Sequence, residues 1–355
     1  FDALCATHGS GFSAEFVWQE WERVIDAWNI RSVEEYLRFE RIGRGVPLNP
    51  RQREQLWSLF AAMRQRLLNA GIMTPNLACY ELANRFQKKP PFRCVIADEA
   101  QDFGPAQMRL LQSLAPADQP DNLFFCVDVA QRIYARSVPW VHYNIDVRGR
   151  SMRLRINYRN TLQIQRAAER VLPPERQAEL ARAWDEQEDI QTGLRPVPCL
   201  RGLDPELVAC ESYEEERRRL TNWLQRCHAD GIPYNQIAIL ARSKELLSEL
   251  VEPALRKLGL TSCPLGQGIV ALDYQVYVGT AHASKGLEFR AVAIVGASDN
   301  MFPSQSAIIS CADHHELQEV LQRERNLLYT AMMRPRERLY ISWTGRRSRF
   351  LPAKV

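Results

Sequence analysis

The residues best suited to chemistry in this 355-residue chain lie together in "RCVIADEAQDFGPAQ", Arg93 to Gln107. A short apolar run ends there in Asp98 and Glu99, with Asp102 close behind. Unpaired charge at the tip of a buried strand is expensive, so the cluster calls for water or a cation. In an open parallel sheet, ligands sit beyond the carboxyl ends of the strands, which would place Asp98 and Glu99 at the lip of a crevice. A strand ending in Asp-Glu suits nucleotide hydrolysis: the first carboxylate holds Mg2+ through water, and the second positions or deprotonates the attacking water. Two other readings fit the same letters. The carboxylates could be solvated groups favoured by the dipole of a following helix. Alternatively, Asp98, Glu99 and Asp102 could form a nuclease metal cluster, although no lysine or histidine stands nearby to assist it.

Such a tip needs a sheet behind it. "FRCVIADE" and "NLFFCVD" are short continuous apolar runs, and "GPAQMRLLQSLAP" between them reads as a helix with Pro105 near its start. Strand, helix, strand is a crossover unit, and crossovers build parallel sheets. Further candidate strands are "MRLRIN", "QIAILAR", "QVYVGTAH", "RAVAIVGAS" and "RLYISW", with helices expected over 211–228, 244–258 and 316–333. The fold class expected is α/β with two parallel-sheet domains. Residues 1–88 read instead as helical. In "LNPRQREQLWSLFAAMRQRLLNAG", Asn49 is the N-cap, Pro50 opens the helix, Gln52 closes a capping box and Gly71 is the stop. Leu56, Phe60, Met63 and Leu67 give that helix one apolar face. Arg41, Arg44, Arg51 and Arg53, in and after the loop before it, read as solvated charge or as a phosphate contact surface. The proline-rich stretch near 171–210 reads as a connection or small insertion.

Bulk composition constrains function less. The chain is 46% hydrophobic and 25% charged, with a net charge of +4. These values lie near globular averages, and no apolar run is long enough to cross a bilayer. The first residues lack a secretory signal pattern, so a cytoplasmic protein is expected. Nine scattered cysteines with no C-x-x-C pair point to reduced thiols rather than a disulfide framework or zinc ribbon. Of 46 basic residues only six are lysine, a balance that permits a polyanionic partner or reflects genome base bias.

The acidic motif has company. "VDVAQRIY", "LRINYRNTLQI", "GTAHASKGLEFRAV" and "RERNLLYTAMMRPRERL" follow "DEAQD" in order over about 240 residues. In this order and spacing they resemble the motifs of superfamily 1A DNA helicases of the UvrD/Rep/PcrA type. The resemblance implies two RecA-like domains, with residues 1–88 a helical insertion, 89–148 part of the first domain and 149–355 the second. It also implies ATP and Mg2+ as cofactors and single-stranded or partially duplex DNA as partner, with 3′ to 5′ movement. By the same resemblance Asp98 would bind the metal, Glu99 would activate water, and Gln131 would sense the γ-phosphate. Tyr158 would stack on adenine, Arg159 and Arg334 would reach the γ-phosphate, and Glu288 would accept from the ribose hydroxyl. Lys285 and His282 would couple the nucleotide to the strand, and Tyr134 would lie near the DNA. Taken singly, each of these residues also has a structural reading, as core aromatic, surface charge or packed histidine.

Several positions depart from that pattern. No lysine follows a glycine, so the chain holds no G-x-x-x-x-G-K-[ST] phosphate loop; the resemblance places that loop upstream of residue 1 and makes this chain alone inactive. Val127 stands where a glycine is usual, Arg136-Ser137 replaces an aromatic-arginine pair, and Trp140 is the substitute stacking ring. Met333 replaces a threonine, Asn326 replaces an arginine, and the stretch from Arg159 to Thr280 leaves room only for a reduced insertion. A non-catalytic module binding nucleic acid or protein is the competing reading.

Overall fold

"IAILA" at Ile237–Ala241 has no polar residue on either face, as a strand buried from both sides requires. In the computed structural model, which describes residues 12–41, 46–128, 140–147, 149–152, 154, 156–173, 197–309, 311 and 314–352, this segment is the strand β6 of a parallel sheet. The sheet has six strands in the order β5-β10-β9-β6-β8-β7: β5 Glu206–Cys210, β6, β7 Thr261–Pro264, β8 Gln275–Thr280, β9 Phe289–Ile294 and β10 Pro335–Thr344. Side chains alternate between its faces with period two. Ala238 and Leu240 of β6 and Val292 and Ile294 of β9 enter one core with Leu327, Leu328, Ala331 and Met332. Ile237 and Ile239, with Ala291 and Ala293, enter the other, with Leu220, Trp223, Leu224, Leu250 and Leu255.

Contacts divide the chain into two compact units, Phe1–Asp128 with Tyr134–Arg148 and Ser310–Leu317, and Val129–Ile133 with Gly149–Ile309 and Gln318–Val355. The helical segment and the acidic motif both fall in the first. Its helices are α1 Ala14–Glu20, α2 Val33–Arg38, α3 Pro50–Asn69 and α4 Pro75–Phe86. The α3 cap is as the sequence requires: Asn49 Oδ1 accepts from Gln52 N, Gln52 Oε1 accepts from Asn49 N, and Pro50 needs no donor partner. Leu56, Leu59 and Phe60 bury its inner face against Trp21, Ile25 and Tyr36, with Met63 and Leu67 partly buried beside them.

Two of the loop arginines are neither solvated nor available to phosphate. Arg41 is buried, its Nε and Nη2 bonded to the two carboxylate oxygens of fully buried Glu20 at 2.6 and 2.7 Å. The Tyr36 hydroxyl donates to the same carboxylate at 2.7 Å, and burial with that negative charge pushes its pKa up. Arg53 donates to the carbonyls of Tyr36, Leu37 and Phe39, capping the carboxyl end of α2. Arg44 lies outside the described residues, and Arg51 is exposed.

After the helices, β1 Val95–Ala97, α5 Pro105–Ser113 and β2 Leu123–Phe125 form the expected parallel crossover, with Ile96 opposite Phe124. Those paired side chains are 74% and 57% exposed, so one face of the strand pair is bare. The second unit departs from the sequence reading in two places. The strand expected at "MRLRIN" lies later, at β3 Ile156–Thr161, while Met152 and Leu154 are solvent-exposed. The stretch 171–210, read as a connection, ends in β4 Val197–Leu200, paired with β3, and in the sheet's edge strand β5. Edge position explains the miss, because β5 is short and mostly half-buried, without the apolar run that marks β6. The remaining helices are α6 Leu162–Glu169, α7 Tyr213–Ala229, α8 Lys244–Leu246 leading through a wide turn into α9 Glu252–Lys257, α10 Gln305–Ile309 and α11 His314–Met332.

Candidate nucleotide and nucleic-acid sites

In the first unit, the carboxylates stand at the carboxyl end of β1, as the strand rule anticipates. Asp98 is exposed; one of its oxygens accepts from Glu99 N at 2.8 Å. Glu99 has φ 53° and ψ 34°. This left-handed conformation costs a non-glycine residue about 1–2 kcal/mol. Gln101 holds it there. Its amide nitrogen donates to Glu99 Oε2, and its carbonyl oxygen accepts from Asp128 N beyond β2 at 3.0 Å. Sequence reasoning passed over Gln101, although its place between the acids was visible. A hard oxygen donor at a solvent-facing strand end fits Mg2+, which keeps most of its waters and takes few protein ligands. The nuclease cluster does not survive: among the described residues, no three His, Cys, Asp or Glu side chains are grouped to hold a metal ion. Trp140, in the turn Trp140–Tyr143, packs on Phe125 with ring centroids 5.2 Å apart. Gln131 and Tyr134 lie outside the described residues.

In the second unit, the expected residues divide between two edges of the sheet. β8 ends at Thr280 and β9 begins at Phe289, and both run parallel to β6. The link 281–288 therefore returns from the carboxyl edge to the amino edge, a span of roughly 20 Å for a six-residue strand at about 3.3 Å per residue. His282 begins that link and Glu288 ends it.

At the amino edge, Arg159 Nε sits 2.9 Å from Glu288 Oε2, so two residues expected to hold different parts of one nucleotide bind each other here. Arg336 Nε approaches the other Glu288 oxygen at 3.7 Å. Tyr158 is 69% exposed, presenting a flat ring to solvent. Arg334 is different. It is 1% exposed, and its guanidinium donates to the carbonyls of Thr330 and Leu287 at 3.0 and 3.1 Å. Reaching a phosphate would orphan those carbonyls, which the sequence could not foretell. Buried Asn160, also unforeseen, donates its amide to the carbonyls of Met333 and Pro335 at 3.0 and 2.6 Å, fixing β3 against the turn that carries Arg334. Tyr329 is a core residue.

At the carboxyl edge, His282 lines a cavity of about 230 Å³ with Arg242, Ala307, Val320, Arg323 and Glu324. Arg242 donates from Nε and Nη2 to the two Glu324 oxygens at 2.9 and 2.7 Å. Such a two-pronged pair is the strongest form of arginine–carboxylate contact. Burial, then the Arg242 charge, holds the His282 pKa below its ordinary value, so the ring is neutral near pH 7. Arg242 directly follows β6, and the strand-end rule alone would have singled it out. Lys285 is half-buried at the end of the turn Ala281–Ser284.

The elements around both edges coincide with a known family. Residues 254–346, from within α9 through β10, match the UvrD-like helicase C-terminal domain. This chain carries a UvrD-like helicase C-terminal domain. ATP-dependent DNA helicase UvrD2 of Mycobacterium tuberculosis, and its counterpart in Mycobacterium bovis, are 25% identical over 402 residues, which takes in 86% of this chain and 56% of theirs. ATP-dependent DNA helicase PcrA of Staphylococcus aureus is 44% identical over 71 residues, 20% of this chain and 9% of PcrA. The chain thus spans about half the length of the UvrD2 proteins it matches.

Proposed function

We propose that this chain is the part of an ATP-dependent DNA helicase that supplies the hydrolytic carboxylates and the guanidinium groups, coupling ATP hydrolysis to 3′–5′ movement on single-stranded or partially duplex DNA. The observation that carries the reading is the tip of β1, where Gln101 holds Glu99 in a strained conformation beside solvent-facing Asp98. Strain of this kind gathers at sites where geometry matters more than stability.

Glu99 takes the proton of the attacking water and Asp98 supplies the carboxylate through which Mg2+ would be held; bound there, the ion neutralises developing phosphate charge. Tyr158 stacks on the adenine, Glu288 accepts from the ribose, and Arg159 stabilises charge on the phosphates. Gln131 reports on the γ-phosphate. His282 and Lys285 lie on the one link that joins the two edges of the sheet, and so relay between nucleotide and strand. Tyr134 and Trp140 are the stacking candidates, at about 1–3 kcal/mol for each base stacked.

No glycine-lysine pair exists in the chain, and the phosphate cradle must come from elsewhere for tight ATP binding. The 355-residue chain alone is therefore expected to show no Mg2+-dependent ATP hydrolysis. A protein combining it with a phosphate loop is expected to hydrolyse ATP faster when single-stranded DNA is added, and to lose roughly a hundredfold or more in rate with Glu99→Gln. Strand addition without effect on that intact protein defeats the motor reading. The missing loop favours one alternative, a nucleic-acid-binding module without hydrolysis. Oligonucleotide binding by the intact protein that is indifferent to ATP would establish it.

A further inference from the structure

We propose that Arg336, rather than Arg334, is the second phosphate-reading cation at the amino edge of the sheet, acting with Arg159, and that Glu288 holds both guanidiniums in position until an anion displaces it. The inference rests on the nucleotide reading of that edge.

Three side chains make the case. Glu288 offers one oxygen to Arg159 at 2.9 Å and the other to Arg336 at 3.7 Å. The first is a hydrogen bond through Nε that leaves the Arg159 terminal fork unused. The second is longer than a hydrogen bond, so Arg336 is drawn by charge while its donors remain available. The side chains of Arg159, Arg336 and Glu288 are 45%, 49% and 39% exposed, within reach of a ligand from solvent. Two cations around one carboxylate leave a net positive site. A polyphosphate, with more charge and more acceptor oxygens than the carboxylate, competes for both forks.

Arg334 is arranged for another task. Its donors tie the last turn of α11 to the Leu287 carbonyl, one residue before Glu288, and so set where Glu288 stands. Pro335 fixes the backbone between the two arginines, and Asn160 grips the carbonyls of Met333 and Pro335 on either side of Arg334. A buried positioning arginine is thus held between the strand that carries Arg159 and the turn that presents Arg336. In a turn of this kind, a motif position and its near neighbour exchange roles through which side chain faces solvent.

The test is calorimetric titration of the 355-residue chain with inorganic tripolyphosphate and with ATP at low ionic strength. Arg159→Ala and Arg336→Ala are each expected to weaken tripolyphosphate binding roughly five- to tenfold. Glu288→Gln is expected to tighten it roughly threefold by removing the competing charge. Tyr158→Ala is expected to weaken ATP while leaving tripolyphosphate unchanged. If Arg336→Ala binds tripolyphosphate as tightly as the parent chain while Arg159→Ala does not, the inference is overturned and the nucleotide reading stands. If both arginines matter but Tyr158→Ala spares ATP, the anion site stands and its assignment to a nucleotide falls. Absence of any tripolyphosphate binding overturns the inference outright.

Discussion

Asn160 shows how much one unremarked side chain can decide. It lies in the "NYRNT" stretch beside the two residues to which the helicase pattern gives roles, yet it is the buried one, and its amide meets carbonyls 173 and 175 residues away in sequence. Asn160→Ala would leave the Met333 and Pro335 carbonyls short of a donor. It is expected to lower unfolding free energy by about 2 kcal/mol, measured by urea denaturation. Asn160→Asp, which puts an acceptor against acceptors, should cost more. A melt unchanged in both variants would show that β3 is held to the turn by something else. At the same scale the sequence was legible only in part. Side-chain chemistry announced Asp98 and Tyr158 as residues that meet solvent, and they do. Burial of Arg334 and the pairing of Arg159 with Glu288 depend on neighbours far along the chain, and no local pattern encodes them.

Elements were easier to foresee where their signals are local. The capping box of α3, the proline at the start of α5 and the all-apolar β6 each rest on residues within a turn or a strand of one another. Sequence reasoning failed where an element is defined by what it packs on. β5 is a strand because β10 lies beside it, and the Arg41 loop folds inward because Glu20 of α1 receives its guanidinium there. This buried pair ties the loop to α1, while Tyr36 of α2 joins it through a third hydrogen bond. Removing one partner of a buried pair is costlier than the pair is worth. Arg41→Ala is expected to destabilise the first unit by about 3–5 kcal/mol in chemical denaturation, and Arg41→Met combined with Glu20→Met should recover much of that loss. A single substitution that leaves stability near the parent's would contradict the burial.

For the whole molecule, the contrast lies between the two sheets. The six-stranded sheet of the second unit is covered on both faces by two distinct cores, as parallel sheets require. The β1–β2 pair of the first has a bare face at Ile96 and Phe124. Covering two such side chains is worth about 1.5–3 kcal/mol each, so the chain by itself should self-associate through this face. Sedimentation velocity is expected to show concentration-dependent oligomers that Ile96→Ser with Phe124→Ser disperses without lowering the melting temperature. A chain that stays monomeric at tens of micromolar, or a double variant that melts earlier, would count against it. No helix among the described residues is long and apolar enough to cross a membrane, in keeping with the 25% charged composition.

The sequence by itself determined the order of the helicase motifs, the crossover that sets Asp98 and Glu99 at a strand end, and the caps that bound the helices. These follow from backbone hydrogen bonding and side-chain period, which act over a few residues. Tertiary structure alone decided which arginine faces solvent, which one is spent on carbonyls, and that a single link carries His282 at one edge of the sheet and Glu288 at the other. Those outcomes turn on desolvation and on partners brought together from distant segments, and neither exists until the chain has packed.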